Sequence, residues 1–131
     1  MTNYLIDTHI LLWHSLADRR LSAIVLDQLG SPESTLFVSQ ATYWEMTIKK
    51  ALGKLDLAVP ISDFYQSALE NSFNVLPFDI EQYTVLESLP QLHSDPFDRM
   101  IIAQAISKNL TIITQDRKFE YYEDLVTILW N

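Results

Sequence analysis

The stretch NYLIDTHILLWHSL, Asn3 to Leu16, poses the first decision about the fold. Tyr4 to Asp7 reads as a short buried strand, and the apolar run after the polar pair Thr8 and His9 reads as a helix through about Leu16. A strand that feeds a helix through a single aspartate is the opening of a βα unit. Asp7 then has two readings. It caps the helix that begins near Thr8, or it is the first piece of a site completed by distant parts of the chain.

The rest of the sequence repeats that alternation. LSAIVLDQL, Leu21 to Leu29, fits a helix with Ser22 near its start and Gly30 able to stop it. TLFVS, Thr35 to Ser39, is a strand. From Ala41 the apolar positions Trp44, Ile48 and Leu52 recur at helical spacing and read as a packing stripe, closed by Gly53. A helix from near Ile61, capped by Ser62 or Asp63, runs to about Ser72. FNVLPF, Phe73 to Phe78, is a short strand that Pro77 closes. Asp79 to about Leu89 is helical and bounded by Pro90. The polar turn QLHSD precedes a long helix from Pro96 to about Lys108, and LTIIT and LVTILW supply the last strands. No two-residue hairpin turn separates any pair of strands. One α/β domain over residues 1–131 follows, with a parallel sheet covered by helices on both faces and right-handed crossovers.

Composition narrows the class. Apolar residues make up 48% of 131, only two are glycine and none is cysteine, so disulfides and thiolate metal sites are excluded. MTNYLID lacks the flank and cleavage pattern of a secretory signal, and no apolar stretch reaches bilayer length. A soluble cytoplasmic protein without membrane contact is expected. The net charge of -8 opposes non-specific binding to phosphates, although the basic residues cluster at Arg19–Arg20, Lys49–Lys50–Lys54 and Arg117–Lys118.

Four acidic residues share one topological position. Asp7 follows the first strand, Glu45 lies in the helix after the second, Asp98 sits in the first turn of the long helix, and Asp116 follows TIIT. In a parallel α/β sheet the C-terminal strand ends and the following first helical turns meet at one edge, where ligand sites form. Like charges gathered there are unfavourable unless a cation compensates. An oxygen-rich, histidine-free set suits Mg²⁺ or Mn²⁺ rather than structural zinc. Such an ion neutralises phosphate oxygens and acidifies water, and it reconciles an acidic protein with a phosphate substrate.

Each position also has an ordinary reading. Glu45 could be an exposed helix residue paired with Lys49 four positions on. Asp95 before Pro96 reads as N-cap followed by N1, with Asp98 at N3, so capping accounts for Asp95 and only partly for Asp98. Asp116 could be a turn residue, and Thr114 either holds a water at the site or packs within its strand. Arg99 orients a carboxylate or touches phosphate. None of His9, His14 and His93 is assigned as a base; His93 orders the loop before the long helix. Lys49 and Lys50 line an approach for the phosphates of a substrate, with Lys54 farther out, or simply form a solvated face. The apolar segments Met100–Ile106 and Ile10–Leu16 serve either as partner surface or as core.

Taken together, LIDTHILLW, VSQATYWEMTIKKALGKL, HSDPFDRMIIAQA and TIITQD resemble the PIN-domain ribonucleases, specifically the VapC-type toxins of bacterial type II toxin–antitoxin systems. The likeness spans essentially the whole chain in the family's order. It implies a three-layer PIN-like domain and a metal-dependent endoribonuclease that leaves 5′-phosphate and 3′-hydroxyl ends. Asp7, Asp98 and Asp116 would chiefly place Mg²⁺ (Mn²⁺ as substitute), and Glu45 would hold or deprotonate the attacking water. Asp95 could join through water. The resemblance further implies a homodimer, inhibition by a small cognate antitoxin, and DNA contact only through that antitoxin. The rivals are a noncatalytic PIN-like interaction protein and another phosphate-handling α/β protein. A phospho-receiver domain would need an acidic pair beside Asp7 and a later lysine. A haloacid-dehalogenase-like enzyme would need Asp-x-Asp-x-Thr where this chain has DTHIL.

Overall fold

β1 (Thr2–Ile6) is the centre of the sheet, paired in parallel with β2 (Ser34–Ser39) on one side and with β4 (Thr111–Thr114) on the other. β3 (Phe73–Leu76) extends the sheet beyond β2, and β5 (Ile128–Trp130) extends it beyond β4, giving the order β3-β2-β1-β4-β5 with every pair parallel. This computed structural model describes residues 1–131. Connections run outward in one direction from β1 to β3 and then reverse to β4. The switch point therefore lies between β1 and β4, directly beyond Ile6 and Thr114.

Alternation along the strands builds two cores. Tyr4, Ile6, Leu36, Val38 and Ile113 face α1 (Thr8–Ser15), α2 (Ala23–Gly30), α3 (Gln40–Ala51) and α4 (Ile61–Glu70), where Ile10, Val25, Met46 and Phe64 meet them. Leu5 and Ile112 point the other way, against Ile101, Ile102 and Ala105 of α6 (Pro96–Lys108), with Leu86 of α5 (Ile80–Ser88) at the margin. Each fully buried Leu or Ile contributes roughly 1.5–3 kcal/mol, so the three-layer arrangement follows from the pattern of these side chains. No helix is long and apolar enough to cross a membrane.

Most expected elements form within a residue or two of their expected ends. Two local expectations are corrected, one open alternative is settled, and one element is new. The stripe Trp44, Ile48 and Leu52 is not part of the core: these residues are 58%, 36% and 63% exposed, because α3 turns Ala41, Tyr43, Glu45 and Met46 inward instead. Neither Ser62 nor Asp63 caps α4; its N-cap is Pro60, whose carbonyl accepts from Asp63 N and Phe64 N without a side-chain cap. The α6 segment from Met100 to Ala105 lies in the core, so the partner-surface reading of Met100–Ile106 fails over that length. Finally, a 3₁₀ turn at Arg117–Tyr122 follows β4, anchored by Phe119 and Tyr122, which are fully buried. Its three-residue period is too short to show in a helical or strand pattern.

Candidate active site

Asp7, Glu45, Asp95, Asp98 and Asp116 line one cavity of about 190 Å³ beyond the C-terminal edge of the sheet, together with His9, Lys49 and Lys54. The expected four carboxylates do converge, although Asp98 arrives from the junction between α5 and α6 rather than from a strand end, and Glu45 from the second turn of α3.

Asp7 is both cap and site residue. Its Oδ1 accepts from Thr8 N at 2.8 Å, and its Oδ2 accepts from the Thr114 hydroxyl at 2.8 Å. Burial pushes its carboxyl above the usual range; the bonds from Thr114 and Thr8 pull it back, and Asp116 adds to the rise. Thr114 therefore neither simply packs nor stands free. Its hydroxyl also accepts from Asp116 N at 3.0 Å, which ties the residue after β4 to the residue after β1.

Glu45 is buried, contrary to the solvated-helix reading, and both oxygens are engaged. Oε1 accepts from the Thr8 hydroxyl at 3.1 Å, and Oε2 accepts from Lys49 Nζ at 3.0 Å. The i,i+4 spacing to Lys49 was read correctly, but it operates inside the cavity rather than on a free face. Burial works against the Lys49 charge; the Glu45 carboxylate, then Asp95 and Asp98, outweigh it and raise the ammonium's pKa.

Asp95 caps α6, accepting from Phe97 N at 2.8 Å and Asp98 N at 3.1 Å. That helix start holds Asp98 over the cavity. The Asp98 carboxyl is pushed up to about 8 by burial first and then by the charges of Asp7, Asp95, Glu45 and Asp116. His93 Nε2 donates to Asp98 Oδ2 at 2.8 Å, while its Nδ1 faces Asp95 N at 3.5 Å. The sequence reading placed His93 only in loop ordering. Its five-residue separation from Asp98, across the cap, was the available signal for this contact.

Asp116 caps the 3₁₀ turn, accepting from Lys118 N at 3.0 Å. Arg99 does not reach the cavity: it is buried and donates to Leu89 O, Pro90 O and the Tyr122 hydroxyl. The phosphate reading of Arg99 is thus overturned, and it orients Asp98 only through the loop it pins. The lysines are redistributed as well. Lys50 bonds Val59 O and is not among the cavity residues, whereas Lys54 is. Gly53, at φ +71, explains the exchange. Gly53 N donates to Lys50 O at 3.1 Å and Lys54 N to Lys49 O at 2.8 Å, a left-handed helix stop that folds the chain back toward the site.

No three His, Asp or Glu side chains close into a ready-made metal cage. Thr8, Thr114, Lys49, His93 and Lys118 each hold a carboxylate oxygen by a hydrogen bond. The donor set is nevertheless that of a hard divalent cation, all oxygen and acidic, and the Asp98 carboxyl is raised by burial first and then by the negative charge of Asp7, Asp95, Glu45 and Asp116.

The PIN domain family model matches residues 4–125. Ribonuclease VapC22 of Mycobacterium tuberculosis (strain ATCC 25618 / H37Rv) is 27% identical over 118 residues, covering 90% of each chain. Among solved structures, VapBC2 from Rickettsia felis bound to a promoter DNA fragment superposes with a TM-score of 0.76 at 14% identity, over 99% of both chains. VapBC-5 from Mycobacterium tuberculosis, of the VapBC family of toxin–antitoxin systems, gives 0.62 at 16% identity, over 99% of this chain and 98% of that one.

Proposed function

The chain belongs to the PIN-domain family, and we propose that it is a VapC-type endoribonuclease toxin that hydrolyses RNA phosphodiester bonds with a divalent cation. One observation carries the reading: Asp7, Glu45, Asp98 and Asp116, from four separate segments of the chain, line one cavity, and burial first and then the charges of its neighbours push the part-buried Asp98 carboxyl up to about 8. The name of the M. tuberculosis relative, a ribonuclease, supports the substrate class.

Asp7, Asp98 and Asp116 would hold Mg²⁺ or Mn²⁺, with Asp95 able to join through water. When bound, the ion supplies positive charge for the phosphate oxygens and acidifies water. The chain's own residues do the rest. Thr114 fixes the rotamer of Asp7, and Thr8 and Lys49 fix that of Glu45. Glu45 is the group placed to take a proton from the attacking water. The water oxygen attacks phosphorus, the P–O3′ bond breaks, and the 3′-oxygen takes a proton from solvent while Glu45 returns its own to solvent, giving 5′-phosphate and 3′-hydroxyl ends. No side chain becomes covalently attached. Lys49 and Lys54 flank the Glu45 side of the cavity, where they offer charge to the approaching backbone.

VapBC relatives are toxin–antitoxin pairs, one of them bound to promoter DNA, which supports a small antitoxin partner and DNA contact through it. We place the protein in the cytoplasm as a homodimer, with the exposed Trp44–Ile48–Leu52 stripe as its pairing face.

The test is cleavage of structured RNA by purified protein in Mn²⁺ or Mg²⁺, against EDTA and against a folded Asp98→Asn variant. Discrete cuts that vanish in EDTA and fall at least about a hundredfold in the variant are expected. Undiminished cleavage in chelator overturns the mechanism, and metal or antitoxin binding without cleavage turns the reading to an interaction protein.

A further inference from the structure

Beyond the carboxylate cavity lies a second, open groove of about 380 Å³, lined by Gln91, Leu92, His93, Ser94, Lys118 and Tyr121. We infer that this groove seats one unpaired nucleotide of the RNA next to the scissile phosphate, with the Tyr121 ring under its base and Lys118 on its phosphate. The inference rests on the ribonuclease reading and adds to it a binding site outside the carboxylate cluster.

Both walls of the groove are rigid. On one side, the Tyr122 hydroxyl donates to Pro90 O at 2.7 Å and accepts from Leu92 N and His93 N at 3.1 Å each. Arg99 adds bonds to Pro90 O and Leu89 O, so the strap that carries Gln91 to Ser94 is pinned from beneath. On the other side, the 3₁₀ turn sorts its residues by its period of three. Phe119 and Tyr122 form the inward edge and are fully buried. Lys118 and Tyr121, also three apart, form the outward edge, and Tyr121 is 61% exposed. A large exposed ring on a rigid turn, beside an apolar Leu92 that is half exposed, is the stacking surface that single-stranded bases use.

Each wall also touches the catalytic carboxylates. His93 donates to Asp98, and Lys118 N donates to Asp116, so the groove adjoins the cavity on its Asp98–Asp116 side. Lys49 and Lys54 stand on the Glu45 side. A polyanion drawn to an acidic centre needs cationic holds on its flanking phosphates. Lys118 is the one charged residue of this groove and belongs to none of the chain's ion pairs. Gln91 and Ser94 bring an amide and a hydroxyl suited to a base edge or a 2′-hydroxyl.

The experiment is steady-state cleavage of a short fluorescein-labelled single-stranded RNA in Mn²⁺ by the full chain and its Tyr121→Ala, Tyr121→Phe and Lys118→Ala variants. Tyr121→Ala should raise KM about tenfold with kcat within about twofold, and Tyr121→Phe should restore it, since the ring and not the hydroxyl stacks. Lys118→Ala keeps the backbone bond to Asp116 and should flatten the salt dependence of log kcat/KM by about 0.7, the share of one phosphate on a single strand. Wild-type cleavage with all three variants unchanged sinks the groove and leaves the ribonuclease reading standing. A Tyr121→Phe variant as poor as Tyr121→Ala also rejects stacking. Loss of antitoxin binding with unchanged RNA kinetics assigns the groove to the antitoxin and overturns the inference. A wild-type protein that cleaves no RNA removes both readings together.

Discussion

His93 Nε2 and Asp98 Oδ2 meet at 2.8 Å across the start of α6, so a loop residue occupies one oxygen of the central carboxylate and leaves the other to the cavity. The imidazole is set in turn by the strap from Leu89 to His93, which the Tyr122 hydroxyl and Arg99 hold at its backbone. A residue chain of fixed geometry thus runs from the core beneath the sheet to the site.

His93→Ala should lower Mn²⁺ affinity and turnover by about 10–100-fold without unfolding the protein, the scale seen when partners of ligating side chains are removed. Tyr122→Phe removes the hydroxyl that the strap needs and leaves the His93 amide without its partner, while Pro90 O keeps its bonds from Arg99 and Leu92 N. It should cost about 1–3 kcal/mol in urea melts and weaken Mn²⁺ binding in the same direction. Calorimetric titration beside the melts separates these effects. Unchanged metal affinity in a folded His93→Ala protein would reject the positioning role.

The Asp98 carboxyl makes metal-free stability depend on pH, with a definite sign. Its ordinary value is 3.8 and its folded value about 8, raised by burial and four neighbouring carboxylates. Between these values the folded chain holds a proton that the unfolded chain has lost, so stability falls as pH rises through that window and levels above it. Asp7, also raised by burial, adds in the same direction. In EDTA the wild type should lose stability from pH 5 to pH 8.5, and Asp98→Asn should lose less, by roughly 2 kcal/mol. Mg²⁺ should restore the wild type at the alkaline end and do little for the variant. Parallel pH curves for the two proteins would remove the claim.

What the sequence made legible followed from topology. The alternation of short apolar strands with helices placed Asp7, Glu45, Asp98 and Asp116 at one sheet edge before any coordinates, and these residues do share a cavity. What it hid depends on local direction. Lys54 was set too far out because a straight extrapolation of α3 ignores the left-handed reversal at Gly53. Arg99 read equally as an orienter of a carboxylate or a phosphate contact, since successive helix residues point about 100° apart and only the structure shows it turning inward to the strap. Trp44, Ile48 and Leu52 kept perfect helical spacing while facing solvent, since periodicity marks a face and not what covers it.

That uncovered stripe leads to a prediction about assembly. Trp44 stacks edge-on against Phe97 at 5.3 Å between ring centroids, whereas Leu52 is 63% exposed at the helix end. A charge introduced at Leu52 therefore disturbs little inside one chain, within about 0.5 kcal/mol in a melt extrapolated to the monomer. If the stripe pairs two copies, the same charge is desolvated against an apolar partner, which association does not tolerate. Light scattering at micromolar concentration should find the wild type dimeric and Leu52→Glu monomeric, with Trp44→Glu monomeric and somewhat less stable because its contact with Phe97 is lost. A dimer that survives both substitutions places the pairing face elsewhere on the molecule, and a wild type that is monomeric removes the homodimer itself.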